Sequence, residues 1–87
     1  MERKYWVPAL ERAHRVLEAI SREPARLKLS DLCKQLGISK STMFSLLGTM
    51  EQLGWLRRLP DDTYALGKYH GYLGNAFFRQ YDLVAAF

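Results

Sequence analysis

The stretch Leu29–Leu53, LSDLCKQLGISKSTMFSLLGTMEQL, decides the fold of this 87-residue chain. It reads as a helix, a tight turn and a second helix. Ser30 stands just before an apolar periodicity at Leu32, Cys33 and Leu36, where its hydroxyl suits an N-cap by accepting from an orphan first-turn amide. Asp31 in that turn complements the helix dipole. Gly37 ends the helix, because the residue after a helix usually takes a positive φ that glycine adopts without a Cβ clash. Ile38 follows as an apolar plug in the turn. Ser39 is read as a second N-cap. It opens a helix whose apolar positions Met43, Leu46, Leu47, Met50 and Leu53 keep the spacing of burial on one side. Gly54 closes that helix.

Two β-patterned runs come next, Trp55-Leu56-Arg57-Arg58-Leu59 and Thr63-Tyr64-Ala65-Leu66, split by Pro60-Asp61-Asp62. A helix-turn-helix followed by a hairpin predicts a winged helix: a mainly α fold with a small β-hairpin. The outward face of the second helix carries Lys40, Ser41, Thr42, Phe44, Ser45, Gly48 and Thr49. A merely solvated helix would hold several charges there. Instead it holds one cation near its start, a row of hydroxyls, a bare aromatic ring and a glycine that lets another molecule approach the backbone. Hydroxyls can bond base edges, and an apolar ring can touch a thymine methyl. Ser41, Thr42, Phe44 and Ser45 are therefore the candidate base readers. Lys40, Thr49, Arg57 and Arg58, with Arg26 and Lys28, are the candidate phosphate contacts.

Charge supports a polyanion partner. The net charge is +4; residues 1–40 hold nine Lys or Arg against five acids, and residues 41–87 hold four against four. The length suits one small domain rather than an enzyme with a regulatory module. An apolar content of 48% is enough to fold. Cys33 is the only cysteine, which excludes an internal disulfide and a cysteine-based metal site, and it reads as a small buried hydrophobe. His14 and His70 each stand alone and read as surface or boundary residues. Paired carboxylates, a nucleophile with its base and a glycine-rich phosphate loop are all missing from the pattern, so neither catalysis nor a cofactor is expected. No apolar run could span a bilayer and no signal-peptide pattern is present, so a cytoplasmic, nucleoid-associated protein is expected.

Outside the motif, Pro8 fits a helix first turn, followed by an apolar stripe of Leu10, Ala13, Val16, Leu17 and Ile20. Pro24 marks the end of that helix, and Leu27-Lys28-Leu29 is an extended link able to add a third strand to the wing. After Gly67 a further helix carries Tyr69, Tyr72, Leu73, Ala76, Phe77 and Phe78. Asp82 then reads as the N-cap of another helix cut short at Phe87. Trp6, Val7 and Leu10, with Tyr69, Leu73, Phe77 and Phe78, exceed what so small a core covers and are expected to form a homodimer interface.

Taken together these residues resemble the N-terminal DNA-binding domain of IclR-type bacterial transcription regulators. Ala9–Ala13 through Val16-Leu17 is similar to that family's opening helix, and Leu29–Leu32 with Leu36–Thr42 to its helix-turn-helix. Leu53-Gly54-Trp55, Arg58 and Tyr64–Gly67 resemble the wing, and Leu73-Gly74 with Asp82-Leu83 the linker helix and its exit. The resemblance implies a DNA-binding unit over residues 1–67 and a linker helix over 68–87. It implies sequence-specific binding of a double-stranded operator, usually as a dimer. A small-molecule effector would act only through a larger C-terminal domain beyond this chain. One departure stands out: the family commonly has an arginine just after the aromatic of the recognition helix, where this chain has Ser45. The competing expectation is a winged helix that docks another protein without binding DNA; against it stand Arg57, Arg58 and Lys40, cations with no purpose there.

Overall fold

The computed structural model describes residues 5–81. Four helices and a two-stranded antiparallel sheet follow in the order α1 (Pro8–Arg22), α2 (Leu29–Leu36), α3 (Lys40–Gln52), β1 (Leu56–Arg58), β2 (Tyr64–Leu66) and α4 (Tyr69–Gln80). The winged helix and the following helix are as the sequence predicts. The third strand does not form. Leu27 and Ala25 only touch the sheet, through backbone bonds with Tyr64: Ala25 N donates to its carbonyl at 3.0 Å and Tyr64 N donates to Leu27 O at 3.1 Å. Positive φ at Ala25 turns the link away before a ladder can extend.

The core is one cluster. Val16 and Ile20 of α1, Leu32 of α2, and Met43, Leu47 and Met50 of α3 are fully buried, with Leu27, Ile38, Leu56 and Tyr64 closing the edges. Cys33 is half-buried against this cluster, as a small apolar filler would be. Truncating one such core side chain to Ala typically costs about 2–5 kcal/mol, so these six set most of the packing energy. Leu53 departs from the predicted stripe. It is 51% exposed, because the helix ends at Gln52 and Gly54 turns the chain at a φ of +79°. Leu53 is thus the last residue of the spacing but lies past the surface that the spacing buries.

The caps divide between expectation and correction. Ser39 does cap α3: its hydroxyl oxygen accepts from Thr42 N at 3.3 Å and donates to Thr42 Oγ1 at 3.0 Å. A cap of this kind contributes about 1 kcal/mol. Ser30 does not cap α2. The helix starts two residues earlier with Lys28 as N-cap, and the Asp31 carboxylate reaches back to accept from Lys28 N at 2.9 Å. An acid at the third helical position thereby satisfies the first amide, leaving the Ser30 hydroxyl outward. Gly37 takes φ +66° and donates its N–H to Cys33 O, while Arg15 from α1 donates to the otherwise orphan Leu36 carbonyl at 2.9 Å. The turn of the motif is therefore tied to α1.

The wing loop is a type I turn followed by a left-handed residue. Asp62 N donates to Leu59 O at 2.8 Å with Pro60 in the turn, and Asp62 sits at φ +69°. Asp61 accepts from the Thr63 hydroxyl at 2.6 Å and from Thr63 N at 3.1 Å, bonds that favour the ionised form and hold its carboxyl below the usual range.

α4 leaves the body at a close backbone crossing. Gly67 N donates to Trp55 O at 2.9 Å, Tyr69 N donates to Gly54 O at 3.2 Å, and His70 Nε2 donates to Trp55 O at 2.8 Å. His70 is therefore a joint between the wing and α4 rather than an idle surface residue. A Cβ at Gly67 would overlap the Gly54 carbonyl and come within 2.9 Å of the Trp55 carbonyl carbon. Gly67→Ala is expected to lower stability by about 1–3 kcal/mol, as overpacking against unyielding backbone does. Urea denaturation followed by circular dichroism measures this; an unchanged midpoint would mean that the crossing is loose.

Candidate nucleic-acid interface

Burial of Met43, Leu47 and Met50 sets which side of α3 faces out. At 100° per residue, Ser41, Ser45, Gly48 and Gln52 lie opposite that stripe, all exposed. Phe44 stands on one flank, 70% exposed. Thr42 and Thr49 stand on the other. Thr42 is half-buried with its hydroxyl bonded to Ser39, and Thr49 Oγ1 donates back to Ser45 O at 3.0 Å. The four predicted base readers thus belong to two places on the helix: Ser41 and Ser45 at its crest, Phe44 and Thr42 on opposite shoulders. No other part of the protein lies within 4 Å of where a Gly48 Cβ would be, so the crest is open at that point.

The Phe44 shoulder faces a shallow concavity shared by three elements. The start of α2 supplies Lys28, Leu29 and Ser30, α3 supplies Lys40 and Phe44, and the wing supplies Arg58, Asp62 and Tyr64. Three of the predicted phosphate contacts, Lys28, Lys40 and Arg58, come together here. The Arg58 guanidinium lies beside the Tyr64 hydroxyl of the paired strand residue. Burial pushes the Tyr64 phenol up from its ordinary value, so it remains a neutral hydroxyl. Asp62 is the one acid in this concavity.

Arg57 lies elsewhere. Consecutive strand residues point to opposite faces, so Arg57 leaves the hairpin on the side away from Arg58, and it lines a separate hollow with Leu56, Leu66, Gly67 and Lys68. Arg26 is exposed in the turn before α2, whose neighbour Ala25 bonds the wing. Among the described residues the one ion pair is Arg22–Glu18 at 3.2 Å, so none of the predicted phosphate-contacting cations is in a salt bridge, although Lys28 is near enough to Asp61 to favour its ionised form.

The opposite shoulder of α3 forms a second hollow with α1, lined by Ala9, Arg12, Thr42, Ser45, Leu46 and Thr49. Arg12, Ser30 and Gln52 are the surface residues that reading the sequence missed. Gln52 was legible, since it continues the spacing of Ser41, Ser45 and Gly48. Ser30 was hidden by its expected cap. Arg12 carried no signal, because its place depends on how α1 crosses α3.

The predicted dimer residues are exposed to differing degrees. Trp6, Val7 and Leu10 form an apolar patch at the start of α1, beside Tyr5. α4 buries none of its residues within the monomer. Tyr69, Leu73 and Phe77 share one stripe, while Phe78 points about 100° away from Phe77 and meets its ring edge-on at a centroid distance of 5.3 Å. The Asp82 cap lies outside the described residues. No described helix is long and apolar enough to cross a membrane.

Comparison with known proteins agrees with this geometry. Residues 9–60 match the IclR helix-turn-helix domain. The chain is 35% identical over 63 residues to the HTH-type transcriptional regulator XynR of Escherichia coli, covering 72% of this chain and 23% of that protein. It is 31% identical over 80 residues to the transcriptional repressor IclR of the same species, covering 91% and 29%. The crystal structure of the Agrobacterium tumefaciens repressor BlcR superposes with a TM-score of 0.78 at 34% identity, over 85% of this chain and 30% of that one. An IclR-type transcriptional regulator from Alicyclobacillus acidocaldarius superposes at 0.76, also at 34% identity, over 82% and 29%. The chain spans less than a third of the length of each of these relatives. With a family match over most of its length and the same fold in solved relatives, the chain belongs to the IclR helix-turn-helix domain family.

Proposed function

We propose that this chain is the DNA-reading part of a transcription regulator, binding a specific double-stranded operator rather than catalysing a reaction. One observation carries the reading: an uncharged, open α3 crest flanked by the cations Lys28, Lys40 and Arg58, none of them in a salt bridge. A helix of this width fits the major groove, and cations beside it meet the phosphates on the groove edge. The relatives named as transcriptional regulators and repressors support the same activity. In this reading Ser41, Ser45, Phe44 and Thr42 face bases, the wing rests on the backbone, and α4 is a linker helix. Selection of bound duplexes from a random library is the test; recovery of no preferred sequence would refute it.

Phe44 is 70% exposed and presents only apolar surface. Phe44→Ala is expected to weaken binding of the selected duplex by about 1–3 kcal/mol and to relax preference at one base step. Repeating the selection with the variant reads this out, and an unchanged preference rejects the assignment.

Lys40 and Arg58 act on phosphates, which hold register without carrying sequence. Replacing either with Ala is expected to weaken preferred and shuffled duplexes alike and to lower the log–log salt slope by about 1. Arg57, on the far face of the hairpin, should lower it less.

Assembly follows from apolar surface that the monomer leaves uncovered. Trp6, Val7 and Leu10 of one chain, with Tyr69, Leu73, Phe77 and Phe78, are assigned to a two-fold interface, and a symmetric dimer suits a palindromic operator. Light scattering at rising concentration should show the mass doubling. A constant monomer mass, with half-sites bound as tightly as palindromes, rejects the dimer.

A further inference from the structure

None of the α4 residues is buried within the monomer, so packing does little to set the direction in which this helix leaves the body. Hydrogen bonds at its base do. Gly67 N donates to Trp55 O at 2.9 Å, Tyr69 N donates to Gly54 O at 3.2 Å, and His70 donates from Nε2 to Trp55 O at 2.8 Å. The first two are backbone bonds from adjoining positions at the helix start. Two ties of that kind leave a helix able to swing about the line that joins them. A third tie, made away from that line by a side chain, stops the swing. Among the described residues, His70 is the one α4 side chain hydrogen-bonded to the wing or the core.

We propose that His70 is a positioning residue: its bond to Trp55 O fixes the direction of α4 relative to the reading helix. In the assembled protein it thereby fixes the half-site spacing that is accepted. The inference rests on the DNA-binding and two-fold readings above.

Trp55 is the shared element. Its N–H donates to Met50 O at 2.9 Å, and Met50 lies in the buried face of α3. Its carbonyl accepts from His70, so one residue connects the reading helix to α4. A carbonyl oxygen has two lone pairs and no proton, so it can receive both Gly67 N and His70 Nε2, and it requires the imidazole proton on Nε2. His70 is half-buried, which protects the bond from competing water. Gly54 and Gly67 let the two backbones approach closely enough for so short a side chain to span them. Tyr69, Leu73 and Phe77, assigned to the two-fold interface, lie along α4, so a change in its direction moves one reading helix relative to the other. One base pair more or less between half-sites changes their separation and turns them by about a tenth of a helical turn.

Residual dipolar couplings of the isotope-labelled 87-residue chain report the direction of α4 without DNA. In the parent, the amides of α4 and of α1 to α3 should fit one alignment frame. His70→Leu keeps bulk and removes the donor, and its α4 couplings should fall to about half of what that frame demands. His70→Gln, whose amide donor reaches as far as Nε2, should restore the fit, whereas the shorter His70→Asn should not. Unmoved amide shifts in α1 to α3 verify that the fold is kept; if His70→Leu does not fold, His70→Asn carries the same comparison. On palindromic duplexes enriched from a random library, one inserted base pair should weaken the parent about tenfold and His70→Leu less than about threefold. A bond that only stabilised the fold would lower the melting temperature and move neither readout. The proposal is overturned if the α4 couplings of His70→Leu fit the common frame as well as the parent's do, or if its spacing preference stays as sharp. A parent that enriches no duplex refutes the DNA-binding reading, and one that binds half-sites as tightly as palindromes refutes the dimer. In either case the couplings judge His70 by themselves.

Discussion

Met43, Leu47 and Met50 fill the space between α1, α2 and β1, and their burial fixes the rotation of α3 about its own axis. One residue of helical phase is 100°, so a slip by a single position would carry Phe44 into the core and Met43 to the surface. The core opposes this, since a rigid phenyl ring does not fit the place of a flexible thioether without repacking its neighbours. What α3 presents to solvent is therefore the complement of what it must bury. Ser39 and Gly37 keep the same phase at the start of the helix, one by capping it and the other by allowing the sharp turn before it.

Around this helix the supporting parts are joined by backbone more than by side chains. Arg15 holds the end of α2 to α1, Tyr64 bonds the link before α2, and the Trp55 carbonyl receives both Gly67 and His70. Each bond connects elements that are distant in sequence, so the small core is reinforced where it is thinnest. Only one ion pair exists among the described residues, and it lies on the solvent side of α1. The remaining described cations form no salt bridge, a surplus that stability does not explain and that a polyanion would.

Much of the fold was legible in the sequence because its signals are local. The glycine at position 37, the serine at 39 and the three-four spacing through Met50 each act within one or two turns of chain. Pro60 with Asp61 and Asp62 marked the wing loop for the same reason. The misreadings arose where two local rules competed. Ser30 and Asp31 can each satisfy the first amides of α2, and the acid won, starting the helix two residues early. Leu53 kept its spacing past the end of the surface that the spacing serves. The candidate interface was legible on α3 alone. Helical phase named Ser41, Ser45 and Phe44, but the grouping of Lys28 with Lys40 and Arg58, the separation of Arg57 from Arg58, and the place of Arg12 depend on tertiary crossings that no local pattern encodes.

The joint at Trp55 turns α4 into a lever. Its base is held at one carbonyl by an amide and an imidazole, with a glycine whose lack of a side chain permits the contact. Twelve helical residues extend from that fulcrum, about 18 Å of rigid arm at 1.5 Å per residue. A tilt of about 10° at the base sweeps the free end through about 3 Å, close to the rise of one base pair of B-form DNA. Angular play at a single peptide carbonyl is thus converted, by length alone, into a displacement measured in nucleotide steps.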